Sequence, residues 1–182
     1  MKIYSLILFF SGLICSVSYS QNYITVEYAY YSDGTTNLYE LVTDGKHSQW
    51  TLTKSEEAAN IGLSEKDMFF YKNMLDSTIY FQDNVFNKVF QVKDTLFKMT
   101  WKLTGISKLL IEYECYEATT EFRGRTYSAY FTTDLNYSDG PWKFNGLPGL
   151  ILEVKSDDNL FHYVARKVSK SNGFKDFVDL KK

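Results

Sequence analysis

Cys115, His47 and His162 are the side chains whose chemistry a plain fold explains least. A thiol and an imidazole can form a nucleophile and base, provided the thiol is open to substrate and the base lies within hydrogen-bond reach. Cys115 follows a period-2 pattern with Leu109, Ile111 and Tyr113, against Lys108, Glu112 and Glu114. That places it with the core-facing set, so a buried structural thiol is the expected role. An exported hydrolase using Cys115 with His47 or His162 is the alternative. His47 follows an Asp44–Gly45 turn, and His162 shares a strand face with Val164 and Arg166. Neither histidine belongs to a His-Glu-x-x-His pattern or has a second His three to five residues on. No catalytic residue, metal ligand or cofactor is assigned.

Other charged groups have turn or surface explanations. Asp157–Asp158–Asn159 separates two strand patterns and suits a turn. Glu56–Glu57 suits a solvated face. Arg123 and Arg125 flank Gly124, where a hairpin turn could aim both to one side as an anion clamp; solubilising turn arginines are the expected role. Gly146 and Gly149 form a G-x-x-G, but no Lys-Ser/Thr follows, and Leu150 to Val154 reads as a strand. A phosphate loop needs a helix N-terminus at that point. Pro148–Gly149 instead suits the centre of a type II turn. Asp139–Gly140–Pro141 is a second turn, and "WKFN" between them sets Trp142 and Phe144 opposite Lys143.

The elements that must position these residues are strands. "YITVEYAYY" aligns Ile24, Val26, Tyr28 and Tyr30; "RTYSAYFTT" aligns Tyr127, Ala129 and Phe131; "TLFKMTWKL" aligns Phe97, Met99, Trp101 and Leu103. Alternation of this kind gives each strand one buried and one wetter face, which favours antiparallel sheet. Short turns such as "TDGK" favour hairpins in a meander. In "KSEEAANIGLSEKDMFFYK", Ser64 followed by Asp67 is a capping-box pattern, so a short helix is expected there.

Composition limits the function classes. Aromatic residues make up 18% of 182, and a chain of this length can bury a sizeable core. The formal net charge of -2 argues against nucleic acid as a partner. Met1 to Ser20 carries one Lys, an apolar run from Ile3 to Val17 and a small-x-small end at Ser18–Tyr19–Ser20, the pattern of a secretory signal peptide cleaved before Gln21. The apolar run is shorter than the ~20 residues of a spanning helix. Lipidation at Cys15 is the rival, disfavoured because Ile14 is not small. Cleavage leaves 19 basic and 22 acidic side chains, and Cys115 as the one remaining thiol. After Val168 the strand pattern fades into a basic tail.

At "YECYEATTEFRGRTYSAYFTTD" and "SDGPWKFNGLPGLILEV" the chain resembles the GLPGLI family of exported Bacteroidota proteins. Its hexapeptide stands here as Gly146, Leu147, Pro148, Gly149, Leu150 and Ile151. Cys115, Ala118, Thr119, Phe122, Gly124, Arg125, Gly140 and Pro141 match the surrounding pattern. The resemblance implies a protein of the periplasm or outer-membrane surface with no established activity, and an outer-membrane receptor or other envelope protein as partner. Many family members run further past the hexapeptide than this chain, which ends at Lys182.

The expected organisation is a signal peptide over 1–20, one antiparallel β domain over 21–168 and, over 169–182, a basic tail or the start of a truncated C-terminal segment. The expected fold is all-β, a curved meander sheet or incomplete barrel with one short helical segment. The expected function is binding: a peptide, lipid or protein held on an aromatic-rich concave face, with Tyr28, Tyr30, Trp101 and Tyr127 as candidate lining residues whose expected role is ordinary core, and with Trp142 and Phe144 packed either on the core or against a partner. A scaffolding part without a small ligand is a further alternative.

Overall fold

The computed structural model describes residues 22–32, 34–55, 69–85, 88–172 and 177. Among them lie eleven strands and no helix. The strands are β1 (Asn22–Ser32), β2 (Thr35–Thr43), β3 (His47–Lys54), β4 (Phe69–Asn73), β5 (Thr78–Val85) and β6 (Lys88–Thr95), then β7 (Lys102–Leu110), β8 (Tyr113–Phe122), β9 (Arg125–Thr132), β10 (Leu150–Ser156) and β11 (His162–Asn172). All pair antiparallel in one open sheet, in the order β6-β5-β4-β3-β2-β1-β11-β10-β9-β8-β7. Two meanders therefore meet at β1 and β11, and the edges are β6 and β7.

The edges are joined by Leu96 to Trp101. Laid flat, 11 strands at a spacing of about 4.8 Å would separate the edges by about 48 Å. Seven residue steps from Thr95 to Lys102 reach at most about 25 Å. The sheet must therefore curl. Register shifts at Glu27/Tyr28, Leu38/Tyr39, Leu103/Ser107 and Ile151/Glu153 supply local bends, since a bulge kinks its strand and raises the twist.

The inner face of the curl is filled by the protein itself. Ile24, Val26 and Tyr28 of β1, Leu41 of β2, Trp50 of β3 and Tyr127 and Ala129 of β9 are buried there, as alternation predicts. Tyr28, Tyr39, Trp50, Tyr163 and Tyr30 pack ring against ring, with Tyr39 stacked on Trp50 at 4.8 Å and Tyr30 on Tyr163 at 4.5 Å. Half-buried Trp101 donates its indole N–H to the Asn145 carbonyl at 2.8 Å. Tyr28, Tyr30, Trp101 and Tyr127 are thus packed into or against this core, the role expected of each.

Three strand-level expectations are corrected. Phe97 to Trp101 is not a strand; Leu96 and Met99 are buried while Phe97 and Leu103 are more than half exposed. These residues cross between the two sheet edges, so no neighbouring strand imposes one buried face. Leu109 and Ile111 do not join Cys115 in the core; they are exposed, because the chain reverses at Ile111–Glu112 and Ile111 takes φ 57°. A period-2 pattern runs through that turn unmarked by Gly, Asn or Pro. The expected helix start at Ser64–Asp67 lies outside the described residues, and from Phe69 the chain is strand. At the other end, β11 continues through Asn172, with Ser169, Lys170 and Ser171 opposite Thr25, Ile24 and Tyr23. Backbone pairing to β1 extends the strand where side-chain alternation has ended.

Candidate ligand cleft

Residues 133–149 leave the sheet after β9 and fold over its inner face. Leu135, Phe144 and Leu147 are buried, and Phe144 lies 4.9 Å from Tyr127 and 6.1 Å from Phe122 between ring centroids. Asp139 and Asn145 pair as an isolated bridge that pinches the segment shut. Inside the pinch, the Phe144 amide donates to the Pro141 carbonyl at 3.0 Å, closing a four-residue turn with Trp142 at φ 50°. Positive φ at the first central position is normally a glycine role. It leaves Trp142 half-buried against Phe122 and Phe144.

The hexapeptide is a packing device. Gly149 does not take the φ of a type II turn; its φ is 157°, and its amide donates to the Leu147 carbonyl at 2.8 Å in a tighter turn centred on Pro148. A Cβ there would stand 2.0 Å from the Thr132 carbonyl oxygen. A Cβ on Gly140 would meet the Ile151 side chain at 2.7 Å. Both glycines let backbone approach β9 and β10. Leu150 and Ile151 are buried, the Ile151 amide donates to the Asp139 carbonyl at 2.9 Å, and the Tyr28 hydroxyl donates to the Ile151 carbonyl at 2.6 Å.

Beside this segment lies a cleft of about 710 Å³. Ile79, Leu96, Phe97 and Phe122 provide its apolar wall; Lys98, Arg123, Lys143 and Asp94 are its charged groups. Its frame is tied by hydrogen bonds: the Leu96 amide to the Ser77 carbonyl at 2.8 Å, and the Asn145 side-chain amide to the Lys143 carbonyl at 2.9 Å and the Phe97 carbonyl at 3.4 Å. Lys143 is 7% exposed, and its ammonium lies 4.7 Å from the Phe81 ring centroid and 5.8 Å from those of Phe70 and Trp142. Burial lowers its pKa, and the Arg123 charge lowers it further. Nothing in the sequence singles out Lys143, because one Lys between Trp and Phe in a loop carries no motif.

The sequence candidates fall elsewhere. Cys115 is buried and its Sγ contacts the Tyr113 carbonyl at 3.5 Å; burial pushes the thiol up to about 11, away from a nucleophilic thiolate. Among the described residues no hydrogen bond joins it to a histidine. His47 braces its hairpin, with its backbone amide 2.6 Å from the Asp44 carboxylate. His162 joins an outer-face network in which Glu153 meets His162 Nε2 at 3.0 Å and Lys108 Nζ at 2.6 Å, while the Tyr130 hydroxyl donates to Glu117 at 2.9 Å. These charges are mutually paired. Arg123 and Gly124, with φ 51° and 76°, form the two-residue turn between β8 and β9. Arg125 points to Asp158 at 2.8 Å, so the two arginines form no joint clamp. Phe144 has no exposed surface and faces the core, not a partner. A second hollow, of about 660 Å³, lies on Glu27, Tyr28, Leu38, Tyr39 and Lys167, where Lys167 and Glu27 pair at 3.5 Å. No group of three His, Cys, Asp or Glu converges among the described residues, and no helix there is long and apolar enough to cross a membrane.

Comparison with known proteins agrees with a shared fold and leaves activity open. No curated protein matches the sequence. Two crystal forms of PNGF-II resemble the structure with TM-scores of 0.65, at 18% and 19% identity, over 85% and 88% of this chain. The chain spans only 28% and 31% of those proteins' length. An uncharacterised conserved protein from Thermus thermophilus is similar at a TM-score of 0.50 and 9% identity, over 86% of this chain and 82% of its own. Residues 121–153, which run from the Arg123 turn through the hexapeptide to Glu153, match the model of a protein family of unknown function, Porph_ging.

Proposed function

We propose that the protein is an exported accessory of the cell envelope that binds a small ligand in the Lys143 cleft. The supporting observation is that the curled inner face is filled by its own aromatic side chains, while the cleft keeps about 710 Å³ open. That volume falls within the roughly 300–1,000 Å³ of small-molecule sites. Export rests on the leader pattern of Met1 to Ser20, and an envelope partner such as an outer-membrane receptor on the GLPGLI resemblance. The occurrence of a similar sheet as under a third of PNGF-II suits an auxiliary unit.

Native mass spectrometry of the protein purified from its own cell envelope tests the reading. A bound small molecule is expected, absent from Thr95→Trp, which fills the cleft from an exposed position on β6. The same spectrum for both proteins would remove the cleft as the site.

A further inference from the structure

Two buried lysines meet at the 133–149 segment, Lys72 packed against it and Lys143 within it, and the fold treats them differently. Lys72, on β4, has no exposed side-chain surface; its ammonium pairs with Asp139 and donates to the Gly140 carbonyl at 2.8 Å. Lys143 is 7% exposed and its ammonium opens on the cleft, where among the described residues it has no hydrogen bond to the protein and no carboxylate within ion-pair distance. Aromatic faces attract a cation, but they accept none of the ammonium's three N–H groups in strong hydrogen bonds. A second cation shares this surface. The Arg123 guanidinium carbon lies 6.0 Å from the Trp142 ring centroid, the ring that Lys143 approaches at 5.8 Å. Lys98 completes three cations against one carboxylate, Asp94, whose Oδ1 accepts from the Thr95 amide at 2.7 Å. Ile79, Leu96 and Phe122 are the cleft's apolar lining, and the Arg123 guanidinium carbon lies 5.4 Å from the Phe122 ring centroid.

We propose that the cleft takes an amphipathic anion, its acidic head held by Lys143 and Arg123 and its apolar body lying along Ile79, Leu96 and Phe122. This rests on the cleft being the ligand site. A charged head completes the hydrogen bonding that the rings leave undone, and relieves the repulsion between the two cations. The apolar wall has no use for a free inorganic ion, so head and tail are recognised together.

Binding of dodecanoate, dodecanol and inorganic phosphate to the protein, measured by calorimetry below the micelle concentration, tests the inference. Dodecanoate is expected to bind one to one and at least about tenfold more tightly than dodecanol, a difference in the range of one charge-assisted contact. Lys143→Met is expected to remove that preference while keeping the packing against Phe81. Arg123→Asn, which tolerates the positive φ, is expected to weaken dodecanoate by a smaller factor. Equal binding of dodecanoate and dodecanol, both lost in Thr95→Trp, would overturn the anionic head and leave the cleft as a ligand site. Competition by phosphate alone at similar concentration would overturn the apolar half. Dodecanoate binding that survives Thr95→Trp unchanged would overturn the cleft reading itself.

Discussion

Lys72 on β4 and Asp139 before the hexapeptide form an ion pair with 0% and 1% side-chain exposure, pinning the 133–149 segment across the sheet. The pair links residues 67 apart in the chain. Asp139 also accepts from the Gly140 amide at 2.8 Å, while its second oxygen has no hydrogen-bond partner. Removing one partner strands a buried charge. Lys72→Met alone is expected to cost about 3–5 kcal/mol in urea unfolding, and the double variant Lys72→Met with Asp139→Asn markedly less. Additive losses would show that the two groups do not act as a pair.

Gly149→Ala is expected to destabilise by about 3 kcal/mol or more, beyond the usual range for overpacking, because its Cβ would overlap the rigid Thr132 carbonyl at 2.0 Å. Gly140→Ala meets a side chain, Ile151, at 2.7 Å and is expected to cost less. Combining it with Ile151→Val tests the contact: the smaller side chain still carries the Cβ nearest to Gly140, so little recovery is expected. Thermal melts of the three variants rank these effects.

The Cys115 thiol gives a pH dependence of known sign. Its pKa rises from 9.0 to about 11 on folding, chiefly by burial. Between these values the unfolded chain has already lost the proton that the native state keeps. Stability therefore falls as pH rises from 9 to 11, and this contribution is fully present below pH 9. Two pH units correspond to about 2–3 kcal/mol. Buried tyrosines such as Tyr28 and Tyr163 are shifted upward too and add to the alkaline loss. The difference between wild type and Cys115→Val over this window isolates the thiol; identical slopes would contradict it. Thiol labelling of the folded protein at neutral pH is expected to be slow.

Lys143→Met is expected to raise stability in the absence of ligand by about 0.5–2 kcal/mol, as when a strained functional group is replaced by one that suits its surroundings. A calorimetric scan should show a melting temperature higher by a few degrees. A lower one would mean that the aromatic cage of Phe70, Phe81 and Trp142 is a structural use of the charge.

Tyr28→Phe removes the hydroxyl that ties β1 to the Ile151 carbonyl at 2.6 Å. Leaving that buried carbonyl one donor short is expected to cost about 1–3 kcal/mol. Hydrogen exchange should report the loss as faster opening around Ile151 rather than at the β6 edge.

Cys115 is buried as expected, but apart from Leu109 and Ile111, and the turns expected at Gly140 and at Pro148–Gly149 stand instead at Pro141–Phe144 and as a tighter turn centred on Pro148. Local patterning was enough to establish the antiparallel class, the inward sides of β1 and β9 and the turn at Gly124. Those features follow from alternation and turn chemistry, which act over a few residues. That Leu96 to Trp101 is a link between sheet edges emerges only in the folded chain, because a strand is defined by its neighbours. The same holds for the close approach of Gly140 to Ile151 and of Gly149 to Thr132, contacts between residues eleven and seventeen positions apart. The two buried lysines make the point again. Nothing local distinguishes Lys72 from Lys143; one meets Asp139 across the fold and the other meets three rings and an open cleft, because burial and charge pairing are settled by long-range packing.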